Sequence, residues 1–447
     1  MTITRSGMGW VARGILAAAW AGGLAWGTAW ADDLPVSLSD YPRIIKRDLP
    51  KMQPGRGVRL GVLRLHPTFQ TTAEYDDNIR LSPSDEKEDI VFTQMPGVMG
   101  EAGFGRHRVT GGYWAEIINF ADESEENAVN HIANGSVNFD LGHLGVKVTD
   151  GMENTTSRLF NEDSSRDRLF LNAAGVRARY DRPKWVFEGG VKNNRTEHRL
   201  ASRDVDDRTE NVASLLIGRK VASKTTLFAE GVGGHVNYDS NTSNADHRYW
   251  QASLGFAYQA FSQKWDEDTD SLERDTEGRS RLRATVKVGF QDRQLSDVGG
   301  QGHKADFENV VADAVLEYRP KPLESITLGY LRAPEISTFG SNEWYRTDKV
   351  TLSWKKRLLR KLYAIPRFSW QRHDYPEPST ISGVTARRED DLLQFQGELR
   401  YEPRVDPKTG EAWVWAGLFY TFRNRDSDFD TLDFDNSRVG VKIGFSY

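Results

Sequence analysis

Between Arg281 and Arg293 the chain puts its polar and charged residues on alternate positions. Arg281, Arg283, Lys287 and Arg293 share one parity with Thr285, Gly289 and Gln291, while Leu282, Ala284, Val286, Val288 and Phe290 hold the other. The same spacing sets Lys349 and Lys355 against Val350, Leu352 and Trp354. It sets Glu398 and Arg400 against Leu399 and Tyr401, and Arg438 and Lys442 against Val439, Val441 and Ile443. Arg367 joins the basic set, and Glu188, Asp313, Glu317 and Glu398 are acids on the polar parity. Side chains two residues apart line one face of a β-strand. Charges gathered on one face with a low-dielectric wall behind them do electrostatic rather than covalent chemistry: they decide which ions or charged polymers approach. Two readings of the basic set stay open. It is a track for an anionic chain such as a uronate-containing polysaccharide, or it is half of an Arg–carboxylate network that fills and braces an interior.

Covalent chemistry has no comparable signal. The chain has no Cys, which excludes thiolate catalysis, disulfides and Cys-based metal sites. Its nine His are scattered, with no H-E-x-x-H spacing, no G-x-S-x-G and no phosphate-binding Gly-Lys-Ser/Thr loop. We therefore expect no catalytic residue, no resident metal and no cofactor. Carboxylates crowd three places: Asp85, Glu86, Glu88 and Asp89; Asp122, Glu123, Glu125 and Glu126; and Asp426, Asp428, Asp430, Asp433 and Asp435. Such oxygen ligands suit Ca²⁺. None fits the D-x-[DN]-x-[DN]-G loop, so solvated acidic loops are the preferred reading.

The elements that must position these charges are strands. The last ten residues alternate from Arg438 to Tyr447, one face apolar and the other polar, and end on Phe445 and Tyr447. This resembles the closing strand of a bacterial outer-membrane barrel, in which Phe445 and Tyr447 would be the assembly signal. Eighteen segments carry related patterns: 65–76, 89–101, 106–120, 128–141, 143–156, 166–180, 185–198, 208–219 and 225–238 in the first half. The second half holds 246–261, 279–294, 304–318, 325–337, 345–356, 361–373, 388–402, 412–424 and 433–447. The breaks alternate between short and long, as in a barrel with short periplasmic turns and longer external loops. The long acidic break 262–278 and the moderately long 403–411 fall on the short side and depart from that rule. A sheet closed on itself also leaves no unpaired edge in lipid. The fold expected is an all-β, antiparallel up-and-down transmembrane barrel of about 18 strands over 58–447.

Bulk properties agree. Arg5 and Arg13 precede an apolar stretch, and Ala29-Trp30-Ala31 is an A-x-A cleavage pattern, so 1–31 reads as a secretory signal. Residues 32–57, with Pro35, Pro42, Pro50 and Pro54, read as a periplasmic leader. The formal charge is −5, and removing the signal with its two Arg makes it −7, which does not suit a nucleic-acid binder. A mean hydropathy of −0.60 rules out a helical membrane protein but not a barrel, where only alternate residues meet lipid. The 13 Trp, 15 Tyr and 21 Phe can supply interfacial girdles, and Tyr180, Trp185, Tyr258, Phe261, Tyr318, Trp354, Tyr363, Tyr401, Trp413 and Tyr447 fall near the expected periplasmic strand ends, as such a ring would.

Two stretches carry a resemblance to a known family. Tyr75-Asp76-Asp77-Asn78, ending the opening strand, is similar to the "Y-D-D-N" start of the putative β-barrel porin type-2 family. The closing segments, 420–427 and Phe434-Asp-Asn-Ser-Arg-Val-Gly-Val-Lys-Ile-Gly-Phe-Ser-Tyr447, are similar to that family's last hairpin. From the residues alone, Tyr75 to Asn78 are turn formers where a strand enters a loop. The resemblance covers about 60–447 and implies an outer-membrane location and a conduit for exopolysaccharide. The alternatives are a small-solute diffusion porin and a closed structural barrel that acts through its loops. Expected partners are outer-membrane lipid and lipopolysaccharide, the barrel assembly machinery and polysaccharide synthesis or export proteins, with no nucleic acid.

Overall fold

The computed structural model describes residues 57–156, 167–240, 246–261, 263–266, 271–274, 280–295, 306–321, 323–337, 342–381, 383–405 and 412–447. The expected signal, 1–31, and the leader as far as residue 56 lie outside the described residues.

Eighteen strands form one closed sheet. They are β1 (Leu63–Asp76), β2 (Asp89–Phe104), β3 (His107–Phe120), β4 (Ala128–Asp140), β5 (Leu144–Thr155) and β6 (Leu169–Asp181). Next come β7 (Trp185–His198), β8 (Arg208–Ala222), β9 (Thr225–Tyr238), β10 (His247–Phe261), β11 (Ser280–Leu295) and β12 (Phe307–Lys321). The last are β13 (Glu324–Ile336), β14 (Trp344–Leu359), β15 (Leu362–Ala364 with Arg367–Ile381), β16 (Val384–Val405), β17 (Ala412–Ser427) and β18 (Phe434–Ser446). Each strand pairs antiparallel with its sequence neighbours, and β18 pairs with β1 from Thr68↔Ser446 to Asp76↔Arg438. The sheet therefore has no free edge along the seam.

Alternation explains why these segments are strands and which way they face. In β10, Trp250, Leu254 and Phe256 point out and are exposed, Leu254 to 71%, while Gln251 and Ser253 point in and are buried. Trp250 to Tyr258 spans eight residue steps of strand, a band about 20 Å tall at the tilt usual in barrels. At the end that holds Leu63 and Tyr447, here the proximal end, outward Tyr180, Trp185, Tyr318, Trp354, Tyr401 and Tyr447 follow the aromatic ring expected there. Tyr363 does not: it faces inward, fully buried, opposite Arg400.

Boundaries agree with the expected segments to within four residues, except that β15 runs on to Ile381 instead of stopping at 373. The segment 374–387, expected as an external loop, is instead mostly a hairpin that turns at Gly383, whose φ is +83°. Pro376 and Pro378 signalled a loop, but the ladder between β15 and β16 skips a register between Asp374 and Pro378. Prolines, lacking an N–H, are tolerated at such irregular pairings. Proximal links are short: two residues between β2 and β3, and three between β4 and β5 and between β6 and β7. The long acidic link after β10 contains a small hairpin, Gln263–Asp266 with Ser271–Arg274, whose side chains lie outside the described residues.

Candidate functional site

The register fixes the inner face of each strand and with it the fate of every expected lumen residue. Lys287 points inward, donates from Nζ to Glu230 Oε2 at 2.8 Å and sits opposite Asp313. Both ends of that pair are buried, with side-chain exposures of 2% and 1%. Arg283 faces Glu317, which accepts from Arg319 at 2.6 Å. Glu188 is paired with Arg177 at 2.8 Å. Lys355 reaches both oxygens of Glu402 at 2.9 and 3.1 Å and lies over the Tyr363 ring. Arg400 holds both oxygens of Glu398 at 2.6 and 3.0 Å. Arg438 is 3.5 Å from Glu74, Arg367 is 3.5 Å from Gln396, and Lys442 lies over Phe419. Arg293 lies over Tyr249 and beside His247. Lys349 stands in the inward register opposite Gln371. Arg281 belongs elsewhere: it is exposed at the proximal rim, where its guanidinium meets the hydroxyl of the outward Tyr318.

Bracing therefore accounts for Lys287, Lys355 and Arg400, yet charge is unevenly spread around the wall. The inner face of β14 to β18 carries Lys349, Lys355, Arg367, Arg388, Arg400, Arg423, Arg425, Arg438 and Lys442 against Asp390, Glu398 and Glu402. Ser369, Gln371, Gln394, Gln396 and Thr421 stand among them. Arg388, Arg423 and Arg425 escaped the sequence reading. The first opens the expected strand 388–402, next to the segment taken for a loop, and the others follow a stretch of β17 that is apolar on both faces. Arg388 is wholly buried, with its Nη2 2.6 Å from Asp390.

The opposite sector differs. Met95, Met99, Trp114 and Ile132 point inward from β2, β3 and β4 and form a buried apolar cluster. Val212, Leu216, Phe228 and Val232 also face inward on β8 and β9. Arg177, Glu188 and Glu230 also face inward on this side, so what sets β14 to β18 apart is the excess of basic over acidic residues on its inner face.

Tyr75 to Asn78 do more than turn the chain. Asn436 Nδ2 donates to Asp76 Oδ1 at 2.6 Å, and the Ser437 N–H donates to Asp77 Oδ1 at 2.7 Å. Asn78 Nδ2 bridges the carbonyls of Ser82 and Asp435 at 2.9 and 3.0 Å, and its Oδ1 accepts from the Ser82 N–H. Tyr75 donates to Glu88 on the outer face. The two stretches that carry the family resemblance therefore meet across the seam. At the other end of the seam, fully buried His66 lies with Nδ1 3.1 Å from the main-chain oxygen of Tyr447 and Nε2 3.4 Å from Glu101. Val58–Leu60 then continues the pairing of β1 beyond Tyr447. Asn436 and His66 were not singled out in the sequence. Closure of β18 on β1 was the available signal, because it brings the end of one strand to the start of the other.

The acidic clusters hold loops by accepting backbone N–H groups. Asp89 accepts from Ala121, Asp122 and Glu123 at 2.8–3.2 Å. Asp433 accepts from Ser427 at 2.8 Å and Asp428 from Glu389 at 2.9 Å. Arg80 pairs with Glu123 at 2.9 Å. Among the described residues no group of three or more His, Asp or Glu is placed to hold a metal ion.

A closed 18-strand barrel with a lipid-facing apolar band is the setting in which the family comparison falls. The family model described as putative beta-barrel porin 2 matches residues 53–447. The chain belongs to this family. As a beta-barrel porin 2 protein it is an outer-membrane, porin-like channel. No curated protein matches the chain. Among solved structures, OccK2 (OpdF) of Pseudomonas aeruginosa has 11% identity and a TM-score of 0.45, covering 86% of this chain and 98% of that one. A BenF-like porin of Pseudomonas fluorescens Pf-5 has 10% identity and a TM-score of 0.45, covering 87% and 100%. OccAB3 of Acinetobacter baumannii has 13% identity and a TM-score of 0.45, covering 87% and 100%.

Proposed function

We propose that this porin-like barrel conducts a secreted, anionic exopolysaccharide across the outer membrane. The observation that carries the reading is the basic excess on the inner wall of β14 to β18, where Lys and Arg stand among Gln, Ser and Thr. Amide and hydroxyl groups exchange hydrogen bonds with sugar hydroxyls at little net cost. Guanidinium and ammonium groups in a low-dielectric lumen favour carboxylate- or phosphate-bearing chains. Transport in this reading is passive. The driving force comes from polymer synthesis or an inner-membrane partner on the periplasmic side, and the barrel itself catalyses nothing.

The proposal includes export through an N-terminal signal cleaved after Ala31. It also includes insertion by the barrel assembly machinery, with Phe445 and Tyr447 as the recognised end. A deletion strain tests the function directly. Polymer accumulating in the periplasm, and released again on complementation, is the expected result. Normal secretion with loss only of small-solute uptake would overturn it in favour of a diffusion porin.

A further inference from the structure

Four inward aromatic residues stand directly across the ladder from a glycine. Trp114 faces Gly97, Phe228 faces Gly255, Tyr249 faces Gly234 and Trp415 faces Gly444. A Cβ on Gly97 would fall 2.2 Å from the Trp114 ring, and one on Gly255 would fall 2.4 Å from Phe228. On Gly234 it would fall 2.1 Å from Tyr249, and on Gly444 2.3 Å from Trp415. Real Cβ atoms do not approach so closely, so each ring occupies the space where a side chain would stand. None of these four glycines has a positive φ. Backbone conformation does not demand them; the rings do.

A ring laid along the wall covers the glycine backbone and leaves the lumen clear, whereas the same ring standing upright would project toward the axis. Two of the rings also carry a guanidinium. Arg293 lies over Tyr249 at 5.0 Å from its centroid, and Arg400 lies over Trp415 at 4.5 Å. The first stack sits toward the distal ends of β10 and β11, the second toward the proximal ends of β16 and β17. Each is a three-layer stack of glycine, ring and guanidinium, held by cation–π attraction.

We infer that Gly97, Gly234, Gly255 and Gly444 set the bore of the lumen and, at its two ends, the seats of Arg293 and Arg400. The inference rests on the channel reading of the barrel. A Cβ at Gly444 lifts Trp415 off the wall and pushes Arg400 inward with it, and Gly234 acts likewise on Tyr249 and Arg293.

Single-channel conductance in planar bilayers with KCl tests this. Gly234→Ala and Gly444→Ala each lower conductance, by a margin on the order of tens of per cent for a ring raised into a pore. Gly231→Ala, whose Cβ meets nothing within 4 Å, leaves it unchanged. Adding Trp415→Leu to Gly444→Ala, or Tyr249→Leu to Gly234→Ala, restores conductance. If a single variant fails to assemble, as read by heat-modifiable migration, the same second substitution restores assembly. Wild-type current unaltered by both glycine substitutions, or doubles that rescue neither current nor assembly, would overturn the inference alone. A wild-type barrel that passes no current would overturn the channel reading and the inference together.

Discussion

Asn436 Nδ2 donates to Asp76 Oδ1 at 2.6 Å and so joins two buried side chains 360 residues apart. Replacing Asn436 with Ala takes from Asp76 Oδ1 one of its two donors, the other being the Asn78 N–H, and removes the donor shared with Asn78 O. A hydrogen bond to a charged group contributes about 1.5–3 kcal/mol. Urea unfolding of the assembled barrel, followed by Trp fluorescence, should show a loss of that size for Asn436→Ala. Asp435→Ala, which gives up one exposed bond to Asn424, should lose less.

The Lys287–Glu230 pair makes a sharper demand. Glu230→Gln leaves an ammonium buried without its counter-charge, which costs about 3–5 kcal/mol. Replacing both residues with apolar ones of similar volume, as in Lys287→Met with Glu230→Leu, should recover most of that loss. The same unfolding measurement separates the two. A single variant as stable as the double would show that the pair is not a desolvated one.

Charge selectivity should follow the β14–β18 wall. Lys349→Gln, Arg367→Gln and Arg438→Gln combined should move the reversal potential in a KCl gradient toward cations. Arg281→Gln, at the rim beside Tyr318, should leave it where it was. Equal effects of the two would remove the basic sector as the selective element.

Burial holds the Asp433 carboxyl above the usual carboxylate range, with Asp426 and Asp430 adding to the rise against the Ser427 N–H and Arg425. A carboxyl whose folded pKa is raised favours the folded state when protonated. That contribution is complete below the unfolded value of about 3.9 and is lost as pH rises through the folded pKa. Asp433→Asn keeps an oxygen for the Ser427 N–H and removes the charge. Its thermal midpoint should exceed that of the wild type at pH 7, and the difference should shrink on acidification toward pH 4. A difference constant with pH would rule out Asp433 as its source.

Much of the barrel is legible in the sequence because lipid on one side and a polar interior on the other impose period two. Segments such as 281–293 and 438–447 could hardly be read otherwise. Legibility fails where the two faces stop differing. Around Met95 to Met99 and in 412–422 both faces are apolar, so nothing in the pattern marks Trp114 or Trp415 as lumen residues. It fails again at 374–387, where Pro376 and Pro378 sit in a strand through a register skip. The inward face of most charged positions could be read, but their pairing could not. Glu230, the partner of Lys287, lies two strands away and 57 residues earlier. Asp76 looked like ordinary turn chemistry, and nothing marked Asn436, until closure set them side by side.

The seam has to be found by strands from opposite ends of the chain, and alternation alone cannot certify the match. A slip of β18 along β1 by one residue turns its apolar face into the lumen and is rejected at once. A slip by two keeps Val439, Val441 and Ile443 in lipid and Arg438 and Lys442 inside, so hydrophobicity does not distinguish it from the correct alignment. The polar ends do. Such a shift pulls Asn436 and Ser437 away from Asp76 and Asp77, and takes the Tyr447 main chain away from His66 and Pro67. The two ends of the seam act as a proofreading mark for alignment, one at the distal rim and one at the proximal rim, on the single strand pair that no local turn can align.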